Sequence, residues 1–489
     1  MALLIIAVTA AFALALGLRA GRGRDLSLEQ WSVGGRGFGS LLVFLLMAGE
    51  TYTTFTFLGG VGWAYGKGGP AMYILVYLTI GFILSYWMLP PLWAYAKEHR
   101  LLAQPDYFAH RYRSPTLGVV VALVGVTALV PYLVLQFKGL GIIVAAASGG
   151  VIGAATAIWI GAAIVTAYVI VSGVHGSAWT ATIKDAAILG VVVFLGIYLP
   201  LHYYGGIGPM FHAVDAARPG FLTLPPRGLS MAWFESTVVL NGLGAFMWPH
   251  GFASVFTARS PDTFRRNAAL LPLYQLLILF VFLIGFAAIL QVPGLRGADS
   301  DLALLRIAQV TFPPWFLGVI GAAGLLTALV PGSVILMSAA TLIANNLYAP
   351  LTGARRDGRG LALIARGAVP VVSLVAVGFT LRGGSAIVSL LLMGYNIVTQ
   401  LFPSFIWTLS RRNPLNAAGA LAGIATGIAI VAWTTLTGVR IATLMPGAPG
   451  WVQDLNIGMV ALVANAAVAL AVSALTARRQ PALAPAERA

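Results

Sequence analysis

A single glutamate stands in a long apolar stretch near the start of the chain. Glu50 is surrounded by hydroxyl side chains and followed by three glycines, in the segment LLMAGETYTTFTFLGGVGWAYGKG. A carboxylate in such a setting can bind a cation or exchange a proton, and a glycine-interrupted helix frees backbone carbonyls that can also bind a cation. The alternative is a helix-packing face, where small residues and Thr are common. Packing alone does not require Glu50, so the segment is a candidate binding site.

Lys138 is a second charged residue in an apolar stretch, VPYLVLQFKGLG. Pro131 frees a backbone carbonyl nearby, and Tyr132 and Gln136 lie one turn apart on the same helix face. Three functions are open for the ammonium group: a counter-ion to Glu50, a receptor for a substrate carboxylate, or a fixed positive charge in place of a coupling cation. The structural alternative is a long side chain that extends to the membrane surface.

His250 follows Pro249 in a third apolar stretch, NGLGAFMWPHGFASVF, which also contains Asn241. The glycines and the proline predict another irregular helix. A histidine in this position can relay protons, or it can simply bond to a backbone carbonyl.

These residues require helices that cross a membrane. Only 9% of the residues are charged and 59% are hydrophobic, and the stretches 267–295 and 313–354 carry no charge. About 20 apolar residues cross a bilayer core. The sequence therefore predicts an all-α polytopic membrane protein of about thirteen spans, near 3–18, 39–65, 71–96, 116–147, 151–172, 178–203, 235–257, 267–292, 314–348, 363–381, 384–409, 415–438 and 453–476.

The basic residues are unevenly distributed between the two sides of this topology. With the N-terminus outside, most of the 29 Lys and Arg residues fall on the inside, Lys184 among them, and only Lys138 falls within a span. Basic residues favour cytoplasmic loops, so the net charge of +15 requires no nucleic-acid partner. We predict a multi-pass protein of the bacterial cell (inner) membrane, with a short cytoplasmic tail over 478–489.

Signatures of enzymes are absent from the sequence. It contains no HExxH motif, no Walker loop and no acidic cluster suited to Mg²⁺, and it has no cysteine for disulfide or thiolate chemistry. Asp299 and Asp301 are predicted to form a solvated turn in an outside loop. We expect no enzymatic activity and no cofactor. Broken helices with buried polar groups instead indicate a transporter, whose partners are a small solute, a coupling cation and the lipid bilayer, with no protein partner required.

Six segments in the same order resemble the bacterial sodium:solute symporter family over nearly the whole chain. They are WSVGGRGFG, LAQPDYFAHRY, PYLVLQFKGLG, SAWTATIKDAA, WPHGFASVFTARS and SAATLIANNLY. The resemblance implies thirteen helices and a midplane site between two inverted five-helix repeats, formed by spans two to six and seven to eleven. Within one integral domain, 1–489, the core repeats would cover about 39–203 and 235–409, and the helices near 3–18, 415–438 and 453–476 would be peripheral.

The resemblance also implies positions for the coupling ion. In the family, Na⁺ lies between the second and the ninth spans. Its ligands would here be the backbone carbonyls of Glu50 and Thr53, together with Thr327, Val330 and Pro331.

The chain departs from this ion-binding pattern. Neither Val330 nor Pro331 has a side-chain oxygen, and Ala181 stands where the family commonly has Asp. A shift in register would bring in Ser333. The coupling ion is therefore open between Na⁺ and H⁺, and Glu50 is the candidate titrating group for H⁺ coupling.

The implied substrate positions complete the predicted site. They fall on Tyr52, Phe55, Thr56, Tyr132, Gln136 and Asn241, with Lys138 as a candidate receptor for a carboxylate. The segments TFLGGVGWAYGKG, ALVPGS and IKD are most similar to the subgroup that imports small monocarboxylates such as lactate, pyruvate or alanine. Relatives have an acidic residue where this chain has Tyr52, which argues against an amino-acid ammonium at that point.

We therefore predict a secondary active importer, a symporter of a small organic solute, with a monocarboxylate such as lactate or pyruvate as the favoured substrate. One alternative is a Na⁺-coupled symporter of an amino acid or another organic solute. Another is a nutrient sensor that acts through a separate partner kinase. A channel is the third alternative.

Overall fold

The computed structural model describes residues 1–21, 27–353, 359–410 and 412–476, and the regular elements in these ranges are helices. Helices dominate because in an apolar chain each backbone N–H and C=O must be satisfied within its own segment. Nine helices in these ranges are long and apolar enough to cross a membrane, and a helix is present at each of the thirteen predicted span positions. The predicted tail, 478–489, lies outside the described residues.

The helices follow the order predicted from the sequence. Those at the predicted spans are Ala2–Gly21, Ser40–Gly49 with Val61–Lys67, Tyr73–Glu98, Pro115–Ala147, Ala154–Tyr204, Met231–Gly244 with Pro249–Thr257, Asp262–Gln275 with Ile278–Gln291, Pro314–Thr341, Arg359–Arg382, Ile387–Val398 with Phe402–Ile406, Ala417–Thr437 and Ile457–Thr476. Shorter helices at Leu28–Val33, Gln104–Arg111, Ile207–Ala217 and Ala303–Thr311 connect them.

The second and the seventh spans are interrupted, as predicted. The helix Ser40–Gly49 ends just before Glu50, and a π-helical turn, Phe55–Gly60, leads into the next helix. The seventh span breaks between Gly244 and Pro249, because proline has no N–H to donate to the preceding turn. Both breaks leave backbone groups free for other partners.

The fifth and the sixth predicted spans form one long kinked element, Ala154–Tyr204. The kink is at Gly173, with φ 56° and ψ −162°. Only glycine adopts this conformation readily, and a Cβ there would lie 2.8 Å from the Trp31 ring. The kink therefore separates the two predicted spans and starts the sixth at this glycine.

The ninth span lies at the centre of the bundle. Every residue from Ile320 to Thr341 is buried, and the helix packs against the first, fourth, fifth and sixth spans. Its hydroxyl groups therefore face other helices and not lipid.

Two of the segments that carry the family resemblance meet on the predicted cytoplasmic side. The Asp106 carboxylate accepts hydrogen bonds from the backbone N–H of Leu102 and Ala103, at 3.1 and 3.0 Å. It also accepts from the side-chain amides of Asn345, at 3.0 Å, and Asn346, at 2.7 Å. The short helix after the third span is thereby fastened to the end of the ninth.

Candidate functional site

The break in the second span is occupied by a cation of the protein itself. The Lys184 Nζ atom donates to the backbone carbonyls of Gly49, at 2.9 Å, and Tyr52, at 3.1 Å. It also lies 2.9 Å from the Asp185 carboxylate. The Lys184 side chain is completely buried, so its charge is compensated by the oxygens of the broken helix and by this carboxylate.

The position of Lys184 corrects the topology inferred from charge. We assigned this lysine to an inside loop, and that assignment was wrong, because Lys184 lies within the helix Ala154–Tyr204. The sequence held the signal, since Lys184 also falls inside the predicted span 178–203. Lys138 is therefore not the only lysine within a span.

The Glu50 carboxylate faces the second half of the seventh span. Its Oε1 accepts a hydrogen bond from the Ser254 hydroxyl at 2.5 Å. The Ser254 hydroxyl is also placed to donate to the His250 carbonyl, at 3.1 Å. The broken parts of the second and the seventh spans thus meet through one carboxylate.

Tyr132 of the fourth span joins this group. Its hydroxyl donates to the Glu50 carbonyl at 3.3 Å. Its ring lies 5.0 Å from the Trp248 ring and 5.3 Å from the His250 ring, measured between centroids. The Tyr395 ring contacts Trp248 at 5.2 Å. The fourth, seventh and eleventh spans therefore form an aromatic wall beside the break in the second span.

Three of the buried polar side chains here have unused hydrogen-bonding atoms. Both amide atoms of Gln136, both of Asn241 and the Nδ1 of His250 have no hydrogen-bond partner among the described residues. Buried polar atoms without a hydrogen-bond partner are uncommon in native proteins. Their free atoms suit a small polar ligand, and the predicted positions Gln136 and Asn241 are both among them.

The other predicted substrate positions make contacts within the protein. The Thr56 hydroxyl is placed to donate its one proton to the Thr51 carbonyl, at 2.9 Å, or to the Thr53 carbonyl, at 3.0 Å, and so contacts the backbone of the broken segment. The Tyr52 hydroxyl donates to the Tyr274 carbonyl at 3.1 Å. Phe55 is buried in the same turn.

The predicted ion ligands are also engaged with protein groups. The Glu50 carbonyl accepts from Tyr132, and the Thr53 carbonyl accepts from the Phe57 N–H at 3.0 Å. In the ninth span, the Thr327 hydroxyl donates to the Gly324 carbonyl at 2.6 Å. The carbonyls that hold a cationic group lie one residue earlier, at Gly49 and Tyr52.

Ser333 contacts the sixth span. Its hydroxyl donates to the Val330 carbonyl at 2.6 Å and lies 2.7 Å from the Ser177 hydroxyl. Val330 and Pro331 are buried beside it. This hydroxyl pair joins the ninth span to the element that carries Lys184.

Lys138 is paired with a residue that we expected to be solvated. Its Nζ lies 2.7 Å from the Asp301 carboxylate and 2.9 Å from the Ser385 carbonyl. Asp301 is only 2% exposed and also accepts from the Ile387 N–H at 3.0 Å. The solvated turn predicted for Asp301 was therefore wrong, and Lys138 pairs with Asp301 instead of Glu50.

A cavity of about 720 Å³ lies beside this ion pair. We call it the basic vestibule because its lining includes Lys67, Arg218 and Arg296, all of them predicted to be outside. Asp301 is also part of the lining, and its charge is compensated by Lys138. Sequence reasoning missed this vestibule because its residues come from four separate parts of the chain.

Comparison with known proteins identifies relatives along the whole chain. Residues 31–427 match the model of the sodium:solute symporter family. The uncharacterized symporter YhjB of Bacillus subtilis is 56% identical, over 99% of both chains. The monocarboxylate transport permease protein of Rhizobium johnstonii is 28% identical over 93% of this chain and 92% of its own. The sodium/proline symporter of Salmonella typhimurium is 24% identical, over 86% of this chain and 85% of its own.

A solved structure has the same fold. A Na⁺-coupled sialic acid symporter superimposes with a TM-score of 0.80 and 16% identity, over 100% of this chain and 98% of that chain. At this identity the likeness concerns the fold alone. It supports the helical architecture described above.

Proposed function

The chain belongs to the sodium:solute symporter family and is a solute symporter, not an enzyme, and from this premise we propose that it imports a small monocarboxylate such as lactate or pyruvate. A coupling cation enters with the solute. The binding site in this proposal lies between the broken second and seventh spans and the fourth span.

The basic vestibule is the observation that carries this proposal. Lys67, Arg218 and Arg296 line it, and the carboxylate of Asp301 in its lining is paired with Lys138. A cavity with an excess of one charge raises the local concentration of oppositely charged solutes. A cavity with this excess of basic side chains favours an anion over a cation or a zwitterion.

The interior of the site is compatible with a small carboxylate. The unused amide atoms of Gln136 and Asn241 offer hydrogen-bond donors, and the rings of Tyr132 and Trp248 offer an apolar wall. Small-molecule sites typically combine apolar walls with a few polar groups. The relative that is a monocarboxylate transport permease supports the same class of solute.

Import of an amino acid is the second candidate. Several relatives are sodium/proline symporters, and the buried Glu50 carboxylate is a group that can pair with an ammonium. The Tyr52 hydroxyl, by contrast, is engaged with Tyr274 and offers no charge.

The test is solute counterflow in proteoliposomes, because counterflow needs no ion gradient. Purified protein is reconstituted with unlabelled lactate, pyruvate or proline inside, and entry of the labelled compound is measured. We expect entry of lactate or pyruvate, inhibited by other monocarboxylates and not by proline. Entry of proline alone would establish the second candidate. Flux that does not saturate with solute concentration would indicate a channel.

A further inference from the structure

Lys184 occupies the place at which this fold exposes backbone oxygens to a cation. Its Nζ is held by the Gly49 and Tyr52 carbonyls, which are freed because the helix Ser40–Gly49 ends there. Carbonyls at the break of a discontinuous helix are typical ligands of a coupling cation. Here the lone pairs point at an ammonium group that belongs to the chain.

An added Na⁺ would have to compete with this ammonium group. Na⁺ requires oxygen ligands, and these two carbonyl oxygens already accept hydrogen bonds from Nζ. A second positive charge beside a buried ammonium is repelled, since low-dielectric surroundings strengthen the interaction. Asp185 lies at 2.9 Å from Nζ, and its carboxylate accepts no hydrogen bond from any other group in the described ranges. One carboxylate therefore balances one cation.

The ninth span, which faces the break in the second span in the predicted ion site, provides few side-chain oxygens for a Na⁺ ion. The hydroxyls of Thr327 and Ser333 donate their protons to carbonyls one turn earlier in their own helix, so only their oxygen lone pairs remain as possible ligands. Val330 and Pro331 have no side-chain oxygen. The small number of side-chain oxygens in the ninth span and the presence of Lys184 at the break both argue against a bound Na⁺ ion.

We propose that the ammonium group of Lys184 is the cation of the broken second span, and that binding and release of its proton couple solute import to a pH gradient without Na⁺. This inference rests on the proposed function and specifies its coupling ion. The groups that face the Lys184–Asp185 pair are Glu50 and Tyr52 of the second span and Tyr274 of the eighth.

The proton on Lys184 connects the Lys184–Asp185 pair with the proposed solute site. A protonated Lys184 donates to both carbonyls and balances Asp185, and this arrangement holds the break in place. A neutral amine has one N–H fewer and leaves the buried Asp185 carboxylate without a counter charge, which destabilises the same packing. The Glu50 carbonyl that binds Tyr132 belongs to this break, so the proton on Lys184 and the solute beside Tyr132 act on one segment. One proton entering with one monocarboxylate moves no net charge.

Gradient-driven uptake tests the coupling in proteoliposomes. For wild type we expect lactate or pyruvate accumulation of about tenfold per pH unit imposed, because one pH unit is 1.36 kcal/mol per proton, with no effect of replacing Na⁺ by choline. Lys184→Arg keeps the cation but does not release its proton, so we expect it to retain counterflow and lose pH-driven accumulation. Lys184→Gln should lose pH-driven accumulation too. Lys97→Gln, at an exposed lysine, is the matched control and should behave as wild type.

Three outcomes would overturn the inference. Uptake that requires Na⁺ would contradict proton coupling. Accumulation driven by a pH gradient in Lys184→Arg would contradict the role of Lys184. Both results would leave the proposed function intact. If wild type shows no counterflow, the monocarboxylate proposal fails, and the coupling ion is then judged from stability alone. A bound ion raises the melting temperature. We expect equal melting temperatures in NaCl and choline chloride for wild type, and a higher value in NaCl would contradict the role of Lys184.

Discussion

At the residue scale, the ionisable groups buried around the site each have a specific hydrogen-bond or ion-pair partner. Lys184 is paired with Asp185, Lys138 with Asp301, and Glu50 with the Ser254 hydroxyl. Buried charges persist only with such partners. The neutral side chains of Gln136 and Asn241, by contrast, have polar atoms without a hydrogen-bond partner among the described residues, and these atoms are available to a solute.

Replacement of Gln136 by leucine tests that distinction. Neither amide atom of Gln136 has a hydrogen-bond partner in the described part of the chain, so Gln136→Leu should leave the melting temperature unchanged. If the amide binds the solute, its loss costs about 1–3 kcal/mol, which corresponds to an increase in KM of roughly fivefold to 150-fold. Initial rates of uptake against solute concentration measure the effect.

Gln309→Leu is the control for this substitution. Its amide donates to the Ala146 carbonyl at 3.3 Å, away from the site, so we expect the KM of wild type. An unchanged KM in Gln136→Leu would remove Gln136 from the solute site.

At the scale of elements, the site depends on contacts between segments that are distant in the sequence. The ion pair of Lys138 and Asp301 joins the fourth span to the loop before the ninth, and the Ile387 N–H adds the start of the eleventh span. The loop before the ninth span and the start of the eleventh line the basic vestibule, and Lys138 contacts the vestibule residue Asp301 from the fourth span. The ion pair therefore holds the fourth span, the loop before the ninth and the start of the eleventh together at this cavity.

Lys138→Met should make the stability of this junction depend on pH. Burial raises the pKa of the Asp301 carboxyl, and Lys138 opposes that rise. Without the lysine the pKa rises further, so the variant favours protonated Asp301. A raised pKa in the folded state contributes stability at low pH that is lost as pH increases through that pKa. Loss of one partner of a buried pair costs roughly 3–5 kcal/mol.

Melting temperatures measured across the pH range check this expectation. Lys138→Met should melt closest to wild type in acid and fall progressively below it towards neutral pH. The double variant Lys138→Met with Asp301→Asn has no carboxylate to protonate and should lose the pH dependence. A pH-independent deficit in the single variant would contradict the assignment.

At the scale of the whole molecule, the basic side chains around the cavity lie on one predicted side of the membrane. The basic vestibule contains Lys67, Arg218 and Arg296, which come from three separate parts of the chain and lie on the face that the charge distribution predicts to be outside. Such a field acts on the approach of a solute more than on its final affinity. It should therefore be sensitive to salt.

Arg296→Gln should raise the KM for a monocarboxylate by about threefold to tenfold at low salt, because steering by a charged cavity weakens when one charge is removed. The difference should shrink at high salt, where exposed charges are screened. Arg306→Gln is the control, because Arg306 is exposed on the same predicted face but does not line the vestibule. Equal KM values for both variants would argue against an anionic solute.

The absence of cysteine allows a direct test of the predicted orientation. Arg296→Cys should react with a membrane-impermeant maleimide in intact cells. Glu98→Cys, exposed at the end of the third span, should react only after permeabilisation. The reverse pattern would invert the topology, since basic residues predict that Glu98 lies inside.

The sequence by itself determined the class of protein, the approximate position of each span and the two broken helices, because apolar length, glycine and proline act locally. It also showed that Val330 and Pro331, where the family resemblance implies Na⁺ ligands, have no side-chain oxygen, since this can be read directly from residue types. Gln136 and Asn241 were likewise expected at the site from sequence.

Only the tertiary structure decided the partners of the charged groups. Lys184 was expected in a loop and Asp301 in solvent, yet both are buried in ion pairs. A lysine in an apolar helix can extend to the membrane surface or turn inward, and its sequence neighbours are the same in both cases. The choice depends on which oxygens come within about 3 Å of the side chain. At Lys184 those oxygens include the carbonyls of Gly49 and Tyr52, more than 130 residues away, which only the packing of the second span against the sixth brings within reach.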